Sequence, residues 1–204
     1  MPHWLHKTFE QPTANPMEER SERIRDHCLK AVAHLKVSAP ADGPSLQLSE
    51  RDLPVVRALA HDLLVVYLID EGNHFSHVQQ RHLAAAGLTE DELHVAAVEN
   101  LRLFANSNVR VIPYGAMYAV LAGGNFEASL LLLPGFWGMY QYLAPNGFAV
   151  AFPARDLLAF GDVNSSAALA ELRALCVRSE GKVDHPLSGR LYQGDGNEWR
   201  PLDN

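Results

Sequence analysis

The first half of the chain shows two patterns of apolar residues. One segment has them at helical spacing, and another is a continuous apolar run. From Ile24 to Leu35 they recur at steps of three and four, which predicts a helix over residues 17–36. Residues 62–70, DLLVVYLID, form an uninterrupted apolar run of strand length, which predicts a central strand buried on both faces. Residues 1–16 carry prolines and no periodicity, so we expect a loose N-terminal arm there.

Capping signals predict two helices after this strand. Ser76 is placed to cap a helix over residues 77–86, and Gly87 is placed to end it. Thr89 is followed three residues later by Glu92, which is the capping-box pattern and predicts the start of the next helix.

The second half changes to short apolar segments separated by turn residues, a pattern typical of antiparallel strands. The predicted strands cover residues 109–113, 117–123, 125–133, 147–153 and 156–160. We predict hairpin turns at Gly123-Gly124-Asn125 and around Gly194-Asp195-Gly196, and helices at 135–143 and 165–179. The expected fold class is α+β: an antiparallel sheet of hairpins, about residues 109–160 plus the strand at 62–70, flanked by helices, in a single domain over residues 17–204.

Charge and composition narrow the classes of partner. The 204 residues carry a formal net charge of −7, and the 17 basic residues are scattered, so we expect neither nucleic acid nor membrane as a partner. Glu127 is the one charged residue between Arg110 and Arg155, but prolines and glycines interrupt that belt, which favours a buried sheet over a membrane span. The start of the chain has no apolar segment of the length that a secretion signal needs, so we expect a cytoplasmic protein.

The stretch IDEGNHFSHVQQRH, residues 69–82, raises the question of a metal site. Asp70, Glu71, His74 and His77 are its candidate ligands, and a metal-dependent hydrolase that uses them is the alternative function. On a helix that begins near His77, His82 lies about 140° round the axis and cannot easily share a metal with it. Because the spacing does not converge, we expect no stoichiometric metal and no cofactor.

Nucleophilic catalysis has no complete signature, and the catalytic residues, if any, are unknown. The chain has no G-x-S-x-G turn. The only two cysteines, Cys28 and Cys176, fall on the inward faces of predicted helices, where a thiol acts as a small apolar group.

Three polar residues of the apolar belt are interpreted as structural. A buried acid at Glu127 needs a partner, for which Arg110 or Arg155 is available. Arg155 and Asp156 lie between two apolar runs, where we expect a strand-to-strand turn with Asp156 tying the two strands together. The alternative is that Arg155 holds an anionic ligand.

Aromatic residues suggest an interaction surface in the segment GFWGMYQYL. Trp137 and Tyr140 lie three residues apart and share a helical face, whereas Tyr142 does not. An exposed face of this kind marks a partner site, and the alternative is that it closes over the sheet.

The order of these segments resembles the YtpQ-like bacterial family of unknown function. The resemblance covers about residues 50–200, in LID, GLTEDELHVAAVENL, NFEASLLLL and FAVAFPARDLLAF with a closing helix and hairpin. The matching positions include Asn100, Glu127, Ala128, Ser129, Pro153 and Asp156, and the HFSH histidines lie outside the pattern. The resemblance implies a soluble, cytoplasmic α+β protein without an assigned activity.

A non-enzymatic binding or protein-interaction module is therefore the first functional hypothesis. It depends on the lack of a complete catalytic set and on the tryptophan–tyrosine segment. The partner is an unknown protein or small molecule, and a homo-oligomer stays open.

Overall fold

Two antiparallel sheets organise the protein, in a computed structural model that describes residues 16–38 and 48–202. In the first sheet the long central strand pairs with each of the other three. Its strands are β1 (Val32–Val37), β2 (Val56–Ala60), β3 (Leu63–Asp70) and β4 (Phe75–His77).

The second sheet has six strands in the spatial order β10-β9-β7-β8-β6-β5. Its strands are β5 (Arg110–Tyr114), β6 (Met117–Leu121), β7 (Phe148–Ala154), β8 (Leu157–Asp162), β9 (Tyr192–Gly194) and β10 (Trp199–Pro201). Two-residue turns connect β5 to β6 and β7 to β8.

Helices pack on the sheets, which confirms the predicted α+β class. They are α1 (Pro16–Cys28), α2 (Gln80–Ala86), α3 (Glu90–Asn108), α4 (Pro134–Tyr140) and α5 (Ser166–Ser179). Short 3₁₀ helices cover Glu50–Asp52, Ala128–Leu132 and Gln141–Leu143. Within residues 16–38 and 48–202, no helix is both long enough and apolar enough to cross a membrane.

The strand predicted at 62–70 exists as β3, but its assignment to one sheet with residues 109–160 was wrong. It lies in the first sheet, where its neighbour β1 comes from the predicted helix over residues 17–36. That helix ends at Cys28, and the Asn100 side chain on α3 donates to the carbonyls of Leu29 and Ala31, both at 2.8 Å. These bonds satisfy carbonyls at the point where the chain leaves the helix.

The predicted strand over 125–133 and its hairpin at Gly123-Gly124-Asn125 were also wrong. The segment contains the 3₁₀ helix Ala128–Leu132, whose five residues are all buried. An apolar run that is buried on every side has no alternation to distinguish a strand from a helix. The glycines form a turn around the Glu127 carboxylate, and not a turn inside the sheet.

The capping predictions had mixed outcomes. Thr89 and Glu92 form the predicted capping box at the start of α3, and Gly87 ends α2 with a left-handed φ of 56°. Ser76 is not a cap, because it lies in β4, and α2 begins later with Gln79 as its N-cap residue. The helices at 135–143 and 165–179, the strand pair at 147–160 and the final hairpin are confirmed within a few residues. The arm predicted over 1–16 lies, except for Pro16, outside the described residues.

The main apolar core lies between the two sheets and draws on both. Its largest fully buried side chains include Tyr67 and Leu101 from the first sheet and α3, and Trp137, Phe148 and Phe160 from the second sheet and α4. A smaller cluster lies between α5 and the outer face of the second sheet. Cys28 and Cys176 are buried, one in each cluster, as the sequence predicted.

Candidate functional site

The four predicted metal ligands lie at or near the β3–β4 turn, but three of them have separate hydrogen-bond partners. The Asp70 carboxylate accepts from the Gly72 N–H at 2.7 Å, and Glu71 accepts from the Ser76 hydroxyl at 3.0 Å. His74 is hydrogen-bonded to the neighbouring Asn73 side chain, and His77 is on β4. Among the described residues, no group of three or more His, Cys, Asp or Glu side chains is arranged to hold a metal ion. The metal content of the purified protein stays a prediction.

The predicted exposed aromatic surface was wrong for Trp137. This side chain is fully buried, lies 4.8 Å from Trp199 between ring centroids, and donates from Nε1 to the Leu130 carbonyl at 2.9 Å. Tyr140 is half-buried, whereas Tyr142 is exposed. The helical face closes over the second sheet because Trp137 fills the core there.

Glu127 is a buried acid, as predicted, but backbone N–H groups satisfy it. Its carboxylate accepts from Ala122 at 2.7 Å, Gly124 at 2.8 Å and Phe126 at 3.1 Å. In the described part of the chain it forms no ion pair with an arginine. Its role is to hold the turn that follows β6.

Asp156 does not tie the two strands together, and that prediction was wrong. It is the second residue of the two-residue turn between β7 and β8, and its side chain is exposed. A tight turn points this side chain into water, so the acid needs no protein partner.

Arg155, its neighbour in the turn, points towards the first sheet. Its backbone is held by the Ala128 N–H, which donates to its carbonyl at 3.2 Å, and by the His185 carbonyl, which accepts from its N–H at 3.2 Å. Its guanidinium carbon lies 5.8 Å from the centre of the Phe75 ring, which is a cation–π geometry. Its Nε is buried and has no hydrogen-bond partner.

One face of the first sheet carries further basic side chains. His34 and Lys36 of β1 lie on the face opposite to that of Ala33 and Leu35, because side chains alternate along a strand. His34 lies opposite Val66 and Lys36 opposite Leu64, while on the other side of β3 His77 lies opposite Leu68. We call His34, Lys36, His77 and Arg155 together the basic cluster.

His34 is almost completely buried, with 1% of its surface exposed. Its ring centroid lies 4.9 Å from that of Phe126 and 5.7 Å from that of Phe75, and its Nε2 has no partner. Burial, and then the positive charges of Lys36, Arg155 and His77, lower the pKa of His34 to about 3. The imidazole is therefore neutral at neutral pH.

Burial and neighbouring positive charges also lower the pKa values of Lys36 and His77. Burial and the charge of Arg155 lower the pKa of Lys36, while burial and the charge of Lys36 lower the pKa of His77. Within residues 16–38 and 48–202, none of the four members of the basic cluster takes part in an ion pair. The cluster therefore has an excess of positive charge that the described chain does not neutralise.

This arrangement suits the binding of an anion. An anion accepts hydrogen bonds from buried donors that lack partners, and it reduces the repulsion among neighbouring cations. The cysteines offer no nucleophile, because both are buried and burial raises the pKa of the Cys28 and Cys176 thiols.

Sequence reasoning interpreted one member of the cluster as structural, with anion binding as the alternative, and missed the arrangement of the four residues. Arg155 was considered as an anion-binding residue, whereas Lys36 was assigned to a helix and His77 to a metal site. The available signal was the period of two in VAHLKV, which puts His34 and Lys36 on one face of a strand.

Comparisons with known proteins add no relative: no family model, no curated protein and no solved structure matches the chain. The resemblance to the YtpQ-like family therefore stays a prediction.

Proposed function

We propose that the protein is a non-enzymatic binding module that takes a small anionic ligand at the basic cluster. The observation that supports this most directly is the pair of buried, unpartnered nitrogens beside the Phe75 ring, His34 Nε2 and Arg155 Nε. They come from strand β1 and from the β7–β8 turn, so a ligand that contacts both bridges the two sheets.

The energetics support a binding role over a structural one. A buried polar group without a partner costs about 1–3 kcal/mol, and two such groups lie at one place. Lys36 and Arg155 add unfavourable charge repulsion. A protein selected for stability alone has no use for this combination, whereas a bound anion offsets both costs.

The test is a titration with small anions, measured as heat of binding and as a shift of the unfolding temperature. Phosphate, sulfate and acetate are added at constant ionic strength against chloride, because screening alone changes charge interactions. We expect saturable binding of at least one of them to the parent protein. Binding should fall at least tenfold in Arg155→Gln and in Lys36→Gln.

Arg173→Gln is the matched control, because it also removes one positive charge. Arg173 is exposed on α5, away from the first sheet, and within the described ranges it forms no ion pair. If none of the three anions binds saturably, or if Arg173→Gln weakens binding as much as Arg155→Gln, the proposal fails.

A further inference from the structure

Aromatic and apolar side chains lie beside the basic cluster and bear on the kind of anion that it takes. Phe75 and Phe126 are only partly buried, although both rings contact His34. Their centroids lie 6.3 Å apart in an edge-to-face arrangement. Both residues therefore keep some exposed surface, and Phe75 lies next to the Arg155 guanidinium.

Arg155 contacts one ring of this pair, that of Phe75. A guanidinium that stacks on an aromatic ring keeps its N–H groups in its own plane, where they can donate in a fork to a carboxylate or phosphate. Because the guanidinium lies over Phe75, an anion that it binds has its remaining atoms close to aromatic surface.

The charge of the cluster also limits the ligand. His34 lies between two aromatic rings and is neutral at neutral pH, so Lys36 and Arg155 supply the positive charge beside it. Two positive charges suit one carboxylate or one phosphate group. A polyanion needs a longer basic surface.

The apolar surroundings continue along the sheet. On the face that carries His34, Leu64 is half-buried and Val56 on the neighbouring strand is exposed. The face therefore combines positive charge with accessible apolar surface, which is the surface that an amphiphilic ligand matches.

We infer that the ligand is an organic monocarboxylate or monophosphate with an aromatic body, whose anionic group lies at Arg155 and Lys36 and whose ring packs on Phe75 and Phe126. This inference rests on the proposed function and names the ligand class of the same site. The anionic chemistry is shared by carboxylates and phosphates, and the ring distinguishes this ligand from a free inorganic anion.

The experiment compares matched probes, benzoate with acetate and phenyl phosphate with inorganic phosphate, by calorimetry on the full chain. We expect the aromatic member of at least one pair to bind at least tenfold more tightly, which is about 1.4 kcal/mol. Burial of about 55 Å² of apolar surface accounts for that difference.

Variants separate the role of the rings from that of the charge. Phe75→Leu should reduce the affinity for the aromatic probe at least fivefold and change the affinity for acetate or phosphate less than twofold. Phe126→Leu provides the same readout if Phe75→Leu does not fold. Tyr142→Leu is the matched control, because Tyr142 is an exposed aromatic residue outside this surface.

The outcomes distinguish the inference from the proposed function. If both members of each pair bind equally well, or if Phe75→Leu weakens both equally, the aromatic ligand is wrong and the anion site stands. If no probe binds, the anion site is wrong as well. A fall of at least tenfold in the binding of every probe in Arg155→Gln, together with the selective loss in Phe75→Leu, supports the inference.

Discussion

At the scale of single residues, the burial of His34 connects the site to the stability of the protein. The unfolded chain exposes this imidazole, which then has its ordinary pKa of 6.5, whereas the folded protein lowers the pKa to about 3. As the pH falls below 6.5, the unfolded state takes up a proton and the folded state does not. Stability that is present at pH 7 is therefore lost as the pH falls from 6.5 towards 3.

The substitution His34→Leu removes this proton uptake. Between pH 7 and pH 5 we expect the parent to lose about 2 kcal/mol more of its unfolding free energy than the variant. Urea denaturation at the two pH values measures the difference. His74→Leu is the control at an exposed histidine and should behave like the parent. Equal losses in the parent and in His34→Leu would contradict the burial of a neutral ring.

Glu127 and Asp156 give a second prediction at this scale. The sequence predicted a structural role for both acids, but only Glu127 is buried. Glu127→Gln keeps one acceptor oxygen but places an amide N–H₂ against backbone donors, and hydrogen bonds to charged groups contribute about 1.5–3 kcal/mol each. We expect a loss of about 3 kcal/mol. Asp156→Asn should change stability by less than about 0.5 kcal/mol, since the side chain is solvated.

Chemical denaturation of both variants tests this contrast. A loss above about 2 kcal/mol for Asp156→Asn would restore the buried tie that the structure contradicts. The sequence could not separate the two acids, because both adjoin apolar runs. The two acids differ in the kind of turn that holds them. Asp156 lies in the two-residue turn of a hairpin, whereas the chain before Glu127 wraps around its carboxylate.

At the scale of elements, the sequence was reliable where a pattern had a single interpretation. The long apolar run of β3, the capping box of α3 and the strand pair β7–β8 were all predicted close to their observed positions. The start of α3 and the β7–β8 pair each combine an apolar pattern with a cap or turn signal, and the apolar run of β3 has the length of a strand, so that local and global preferences agree.

Two of the failures occurred where a pattern fitted more than one element. Cys28, Ala31 and Leu35 are all buried at helical spacing, but Ala33 and His34 between them are buried too, because the Phe75 and Phe126 rings pack on His34. Residues 125–133 are almost uniformly buried, and their conformation depends on the Glu127 turn and on Ser129, whose hydroxyl accepts from the Leu35 N–H at 3.1 Å. Such tertiary contacts are not visible in periodicity.

Asn100 offers a test of how α3 holds the start of β1. Asn100→Ala removes two hydrogen bonds to carbonyls that precede the strand, so we expect a loss of about 1–3 kcal/mol. Hydrogen exchange of the β1 amides should become faster at the same time, because the strand end is released. Asn106→Ala, at an exposed position on the same helix, is the control. A wild-type stability for Asn100→Ala would show that water replaces the side chain at no cost.

At the scale of the whole molecule, the site depends on contacts between distant parts of the chain. The basic cluster draws on β1, β4 and the β7–β8 turn, so residues that are more than 100 positions apart meet only when the two sheets pack. Sequence reasoning could suggest Arg155 as an anion ligand but could not name its neighbours. The relative position of the sheets is therefore a condition for the proposed anion binding as well as for stability.

Tyr192 is one residue that holds the sheets together. Its hydroxyl, on β9 of the second sheet, donates to both oxygens of Asp62 in the β2–β3 turn of the first, each at 3.0 Å. Burial, together with this acceptor, raises the pKa of Tyr192 to about 12. The folded protein therefore keeps this proton at a pH at which the unfolded chain, with an ordinary tyrosine pKa of about 10, releases it.

The sign of the pH dependence follows from that difference. Stability from this group is fully present below pH 10 and is lost as the pH rises from 10 to 12, because only the unfolded state gains by deprotonation. Between pH 9 and pH 11 we expect the parent to lose about 1 kcal/mol more than Tyr192→Phe, which has no hydroxyl to ionise. At pH 8 the variant should be less stable than the parent by about 1 kcal/mol, since the Asp62 carboxylate loses its donor. Tyr142→Phe is the control at an exposed position and should show neither effect. If Tyr192→Phe is as stable as the parent at pH 8, the core alone holds the two sheets in place.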